Sequence, residues 1–150
     1  KSVLAAAGLC LCVSSVHADV AGLQITEVFM SHHDASARVA IWYPSATQGA
    51  ASLYAHNPVF AGVDALKDAP VSPGQHPVVL FSHGMGGTDR AQAWLAAALA
   101  KRGAITVMVN HPNTTWGDFD MSKGVAHWTR AQDMSTALDA MSRVMAAGFS

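Results

Sequence analysis

Pro77-Val78-Val79-Leu80-Phe81-Ser82-His83-Gly84-Met85-Gly86-Gly87-Thr88 is the stretch whose reading decides the fold. Val78 to Phe81 is an unbroken apolar run that opens behind a proline, as a strand covered on both faces of a parallel sheet does. A glycine-rich turn, His83 to Gly87, follows it. Thr88 can then cap a helix whose apolar residues Ala91, Trp94, Leu95, Ala98 and Leu99 fall at offsets of 3, 4, 7 and 8, one face of an α-helix. Lys101 and Arg102 stand where the negative end of that helix attracts cations, and Gly103 stops it. Ile105 to Val109 is the next apolar strand. Strand, helix and strand within so short a span form a parallel pair with a right-handed crossover.

Working outward, Leu23 to Phe29 alternates loosely and Ala37 to Tyr43 is a second strand ended by Pro44. The two form an antiparallel pair joined around Ser31 to Ser36. Residues 45–76, interrupted by Pro58, Pro70 and Pro73, read as a long surface excursion with one helical turn at Val63 to Lys67. Beyond the second apolar strand comes a polar loop, Asn110 to Lys123. Thr129-Arg130-Ala131-Gln132 is a capping box opening a helix that buries Met134, Leu138, Met141 and Met145, with Gly148 as its stop. The fold class is therefore α/β: an antiparallel strand pair followed by a parallel βαβα unit. A helix laid on a parallel sheet returns the chain to a further strand, so residues 19–150 are expected to be the N-terminal part of a larger domain.

The first eighteen residues read as an export signal rather than structure. Lys1 supplies a positive charge, Val3 to Val16 carry none, and Val16-His17-Ala18 has the small residues preceding a cleavage site. The apolar run is too short to span a hydrocarbon core of about 30 Å, so no stable membrane insertion is expected. Both cysteines, Cys10 and Cys12, lie in this segment, and the mature chain would contain neither disulfide nor thiol nucleophile. The expected location is periplasmic or secreted. Net charge is -1 with 13% charged residues and no basic stripe, which argues against a nucleic-acid partner.

The glycine turn admits three readings. A dinucleotide fingerprint requires a third glycine where Asp89 stands, and a phosphate-binding loop requires a lysine where Thr88-Asp89 follow. Both lack a required residue. The third is an oxyanion loop, in which a backbone N–H points at the carbonyl oxygen of an ester under attack. Glycines let the main chain approach the substrate closely.

Trp42-Tyr43-Pro44, Ser82-His83-Gly84-Met85-Gly86-Gly87, Trp94-Leu95, Asn110-His111-Pro112 and Arg130-Ala131-Gln132-Asp133 together resemble the α/β-hydrolases of the dienelactone hydrolase-like group related to platelet-activating-factor acetylhydrolase. The resemblance runs from about Leu23 to Met145. It departs at Asn110, where relatives tend to carry Asp, and at Asn113, where glycine is usual. It implies the N-terminal half of an α/β-hydrolase fold and a serine hydrolase of esters, lactones or lipids, with no cofactor and no bound metal. The implied nucleophile sits in a Gly-x-Ser-x-Gly elbow, followed by Asp and His. No such motif occurs in the 150 residues, so the elbow and all triad members are expected beyond Ser150, leaving this chain alone inactive. The backbone N–H of Met85 is the implied oxyanion donor, with His111 at the substrate-binding edge of the sheet and His83 bracing the loop.

Two alternatives stand beside this reading. One is a non-catalytic module of the same fold. The other is a periplasmic metal-binding protein, suggested by eight His and seven Met, with His32-His33-Asp34 as its candidate site.

The export reading makes a direct prediction. Protein recovered from its native host should have the intact mass of a chain beginning at Asp19; a mature species retaining Cys10 and Cys12 would exclude cleavage.

Overall fold

The computed structural model describes residues 20–47 and 49–147. The expected export signal at 1–18 and the expected helix stop at Gly148 lie outside the described residues. Strands β1 (Ala21–Met30) and β2 (Ala35–Pro44) form the expected antiparallel hairpin, with Ala21 opposite Pro44 and Met30 opposite Ala35. Four residues, Ser31 to Asp34, make the turn.

Residues 45–76 differ from expectation. They contribute two strands, β3 (Ser52–Tyr54) and β4 (Val63–Lys67). The segment read as a helical turn is β4, which lies parallel to β1 on one side and antiparallel to β3 on the other. A ladder on both sides satisfies its backbone far better than one isolated helical turn could, and it buries Ala65 and Leu66.

Strand β5 (Val78–Ser82), helix α1 (Ala93–Lys101) and strand β6 (Ile105–Val109) form the parallel unit, Val78 opposite Ile105 and Ser82 opposite Val109. Strand β6 also pairs antiparallel with β2, which completes a six-stranded sheet in the order β3-β4-β1-β2-β6-β5. All five residues of β6 are buried. Among the described residues strand β5 is an edge, and Val78 and Leu80 are exposed there, where the sequence reads as a strand covered on both faces.

Helix α1 starts later and faces another way than its apolar spacing indicates. Gln92, not Thr88, is its N-cap, and Thr88 Oγ1 instead accepts the Arg90 N–H in a turn. The buried face is Ala93, Ala96, Ala97 and Ala100, while Trp94 is 64% exposed. The reason is volume. The fully buried Trp42 rises from β2 into the same cluster, and a face of methyl groups lets the helix settle over that bulk. At the other end the Gly103 N–H bonds Ala100 O and the Ala104 N–H bonds Leu99 O, the paired bonds of a Schellman stop.

The loop after β6 is more ordered than its polarity indicates. It holds a small hairpin, β7 (Thr114–Thr115) with β8 (Asp118–Phe119), and a short helix, α2 (Met121–Gly124), capped by Asp120. Helix α3 (Thr129–Ala147) then crosses the opposite face of the sheet from α1. The capping box is not formed: the Thr129 hydroxyl donates to Ala126 O at 2.7 Å. Met141 is buried, and Met134, Leu138 and Met145 pack half-buried around it. Strand β2 serves both layers by simple alternation, sending Val39, Ile41 and Tyr43 toward α3 and Ala40 and Trp42 toward α1. Among the described residues no helix is long and apolar enough to cross a membrane.

One backbone position tests this packing. A Cβ on Gly22 would lie 2.1 Å from Cε2 of Tyr43 on the paired strand. Gly22→Ala should therefore cost about 2–3 kcal/mol, the scale of overpacking a filled core. Gly84→Ala, with nothing within 4 Å of the added methyl, should cost less than about 1 kcal/mol. Urea denaturation of both variants measures the contrast.

Candidate active site at the glycine turn

The turn leaves the C-terminal end of β5 at the sheet edge where α/β folds bind ligands. Gly86 carries a φ of 72°, a left-handed conformation that glycine adopts without penalty. Its N–H donates to Thr114 O at 2.8 Å, and the Gly87 N–H donates to Gly84 O at 3.0 Å. Those bonds occupy two of the turn's donors. The Met85 N–H between Gly84 and Gly86 makes no hydrogen bond among the described residues. A cleft of about 620 Å³ opens beside the turn, bordered by Gly86, Gly87, Arg38, Asn110, Phe60 and Trp116.

His83 braces the turn from within. Its Nδ1 lies 2.7 Å from Gly84 O and must carry the proton there, while Nε2 accepts the His111 N–H at 3.1 Å. Both bonds together require a neutral ring. Burial lowers its pKa below the ordinary 6.5, with His111 and Arg130 adding to the shift against the Gly84 bond. The Arg130 guanidinium donates to His83 O and, at 2.9 Å, to Thr114 Oγ1, joining turn and following loop.

His111 is buried at 1% exposure and does not border the large cleft. Its Nδ1–H donates to Asp133 Oδ2 at 2.6 Å, and its Nε2 lies 2.8 Å from Ser82 Oγ. Asp133 is wholly buried on α3, and its other oxygen, Oδ1, takes His32 Nε2 at 2.6 Å and His33 Nε2 at 3.0 Å. Burial raises the Asp133 pKa. The bonds from His111 and His32 and the fields of His111 and His33 outweigh it, so the group stays below its usual value and ionised. The candidate site His32-His33-Asp34 of the metal-binding alternative is not the one assembled: His32 and His33 converge on Asp133 instead, while Asp34 ends the hairpin loop with a φ of 50°.

Both departures from the resembled pattern have structural reasons. Asn110 Oδ1 accepts the Asp89 N–H at 2.6 Å while its amide donates to Asp89 Oδ1 at 3.0 Å. An aspartate at 110 could not donate and would repel Asp89, which is buried and held also by Arg38 and Tyr54. Asn113 takes a φ of 64°, a left-handed position that asparagine tolerates nearly as glycine does. Sequence reasoning left Ser82, Asp89, Arg130 and Asp133 without roles. A usable signal existed for Asp133: it begins the buried face Asp133-Ala137-Ala140 of α3, where a charge needs partners.

A mixed sheet with a helix on each face and a glycine turn after a parallel strand give this chain the architecture of part of an α/β-hydrolase fold. No family model and no curated protein sequence matches the chain. Among solved structures, it is similar to a ferulic acid esterase from Streptomyces cinnamoneus, with a TM-score of 0.66 and 22% identity over 85% of this chain. The matched part is 47% of that esterase, so this chain spans about half its length.

The state of His83 sets a pH dependence. A folded-state pKa below the ordinary 6.5 means the unfolded chain binds the proton more tightly. The His83 contribution to stability is therefore full above pH 6.5 and declines as pH falls below it, down to the folded-state value. Melting temperature should drop on acidification from pH 7 to 5, with a shallower slope in His83→Asn; an unchanged slope would assign the acid loss to other groups.

Proposed function

We propose that this chain carries the oxyanion side of a serine-type hydrolase of carboxylic esters or lactones, of the dienelactone hydrolase-like and platelet-activating-factor acetylhydrolase-like group, acting on a small-molecule or lipid substrate after export. The observation that carries the proposal is the free Met85 N–H, in a turn where the amides of Gly86 and Gly87, which follow it, are tied to protein carbonyls. In acyl transfer a serine oxygen bonds to the ester carbonyl carbon, the C=O electron pair moves onto oxygen, and the alcohol leaves as the carbonyl re-forms. Water then releases the acid. A preorganised amide stabilises the transient oxyanion without reorganising at the moment of reaction. In this reading the nucleophile, its elbow and its triad partners lie in sequence following Ser150. His111 contributes by holding His83, and through it the turn, rather than by touching substrate.

A second reading rests on one specific observation. Ser82, His111 and Asp133 have the connectivity of an acyl-transfer triad, Oγ to Nε2 and Nδ1 to carboxylate. Against a nucleophilic role, Ser82 ends the extended strand β5 with no positive φ, whereas the nucleophile of this fold sits on a sharp, strained turn. The hydroxyl is better described as the outer end of a bracing relay.

Substitutions in the full-length protein separate these roles. Met85→Leu keeps the N–H and should hold kcat within roughly tenfold, whereas Met85→Pro deletes it and should lower kcat by about 10² to 10³. Circular dichroism and melting temperature must show the proline variant folded. A folded Met85→Pro enzyme with near-normal kcat would put the oxyanion hole elsewhere. Ser82→Ala should stay within about tenfold on a p-nitrophenyl ester; a loss of roughly 10⁴ or more, the scale of a missing nucleophile, would favour the second reading.

A further inference from the structure

We propose that His32, His33 and Asp133 form a binding site for a divalent transition-metal ion of the zinc class, separate from the glycine turn and independent of the hydrolase reading. The donors converge without any rearrangement of the backbone. His32 Nε2 and His33 Nε2 lie 2.6 and 3.0 Å from the same carboxylate oxygen, Asp133 Oδ1, and the three donor atoms lie within 4.8 Å of one another. Two imidazoles and one carboxylate suit zinc, nickel or copper, and not the harder magnesium or calcium.

The surroundings suit the role as well. A zinc ion bound at about 2.0–2.1 Å to each donor sets them roughly 3.3 Å apart, so from 2.6 and 3.0 Å His32 must move outward by about 0.7 Å and His33 by about 0.3 Å. They can do so because both sit on the Ser31 to Asp34 turn, with side chains 19% and 12% exposed. Asp133 cannot move, being 1% exposed and held through its second oxygen by His111 at 2.6 Å. That bond orients the carboxylate as outer hydrogen bonds orient the ligands of metal centres. Ser31 and His32 also border an open hollow of about 460 Å³ with Gln132 and Ser135, which gives an ion and its waters a way in.

Proton balance is straightforward. Without metal, each Nε2 carries the hydrogen it donates to Asp133. With metal, each Nε2 offers its lone pair, and the hydrogen moves through solvent to Nδ1 or is released. Neither Nδ1 has a protein partner among the described residues, so the tautomer change breaks no other bond. Three protein ligands leave a fourth position for water or an external donor.

The test separates a metal site from a hydrogen-bonded brace. ZnCl₂ is titrated calorimetrically into the intact chain, into His32→Gln/His33→Gln and into the control His56→Ala. Glutamine keeps an N–H donor toward Asp133 and so preserves the brace, but it offers zinc no imidazole. The intact chain and the His56 control should bind one equivalent saturably and gain melting temperature with zinc. The double variant should lose that equivalent and the gain while keeping its metal-free melting temperature within a few degrees. Each single glutamine variant should weaken binding at least tenfold. Absence of saturable binding in the intact chain, or a stoichiometric site that survives the double substitution (as one formed by Cys10 and Cys12 would), overturns the proposal.

Discussion

A single buried carboxylate organises one face of this protein. Asp133 lies under helix α3 with no solvent exposure, and an ion there is tolerable only if donors replace its lost hydration. Three imidazoles do so: His32 and His33 from the β1–β2 turn, and His111 from the loop after β6. The carboxylate therefore ties the first hairpin, the loop carrying His111 and the last helix to one point. Breaking such a buried ionic cluster by removing one partner typically costs about 3–5 kcal/mol.

The effect of that point extends to the glycine turn. Asp133 fixes the ring of His111, whose backbone N–H is taken by His83, whose Nδ1–H in turn bonds Gly84 O. Arg130, one helical turn from Asp133, adds a second tie from α3 to His83 O. A second buried carboxylate, Asp89, anchors the other end of the turn through Asn110, Arg38 and Tyr54. The glycine turn hangs between two hydrogen-bonded buried carboxyl groups, with the Met85 amide left unbonded at its middle. Preorganised donors of this kind are what acyl-transfer chemistry uses, since an amide already held in place pays no reorganisation cost as charge develops.

The sheet supplies the frame for both anchors. Strand β2, at the centre, sends alternate residues to opposite layers, and the pairing of bulky Trp42 with the alanine face of α1 fills one side of the sheet. The other side is filled by Val39, Ile41 and Tyr43 against Ala137, Ala140 and Met141. Strand β6, buried throughout, carries the chain to Asn110 and His111, one for each carboxylate anchor.

Local pattern in the sequence determined the central elements: the β1–β2 hairpin by alternation, β5 and β6 by unbroken apolar runs, the stop of α1 by Gly103, and the glycine turn by composition. These signals are legible because each depends on residues near in the chain. What only the tertiary structure decided depends on residues far apart. The strand at Val63–Lys67 exists because β1 and β3 flank it, and α1 turns its alanines inward because Trp42 occupies the space they face. His32 and His33 meet Asp133, a hundred residues away, rather than the adjacent Asp34, because the hairpin turn points them beneath α3. Asn110 in place of aspartate makes sense only beside Asp89. Periodicity records which face a residue takes within its own element, but the partner of a buried charge is chosen by packing between elements, and no local spacing encodes it.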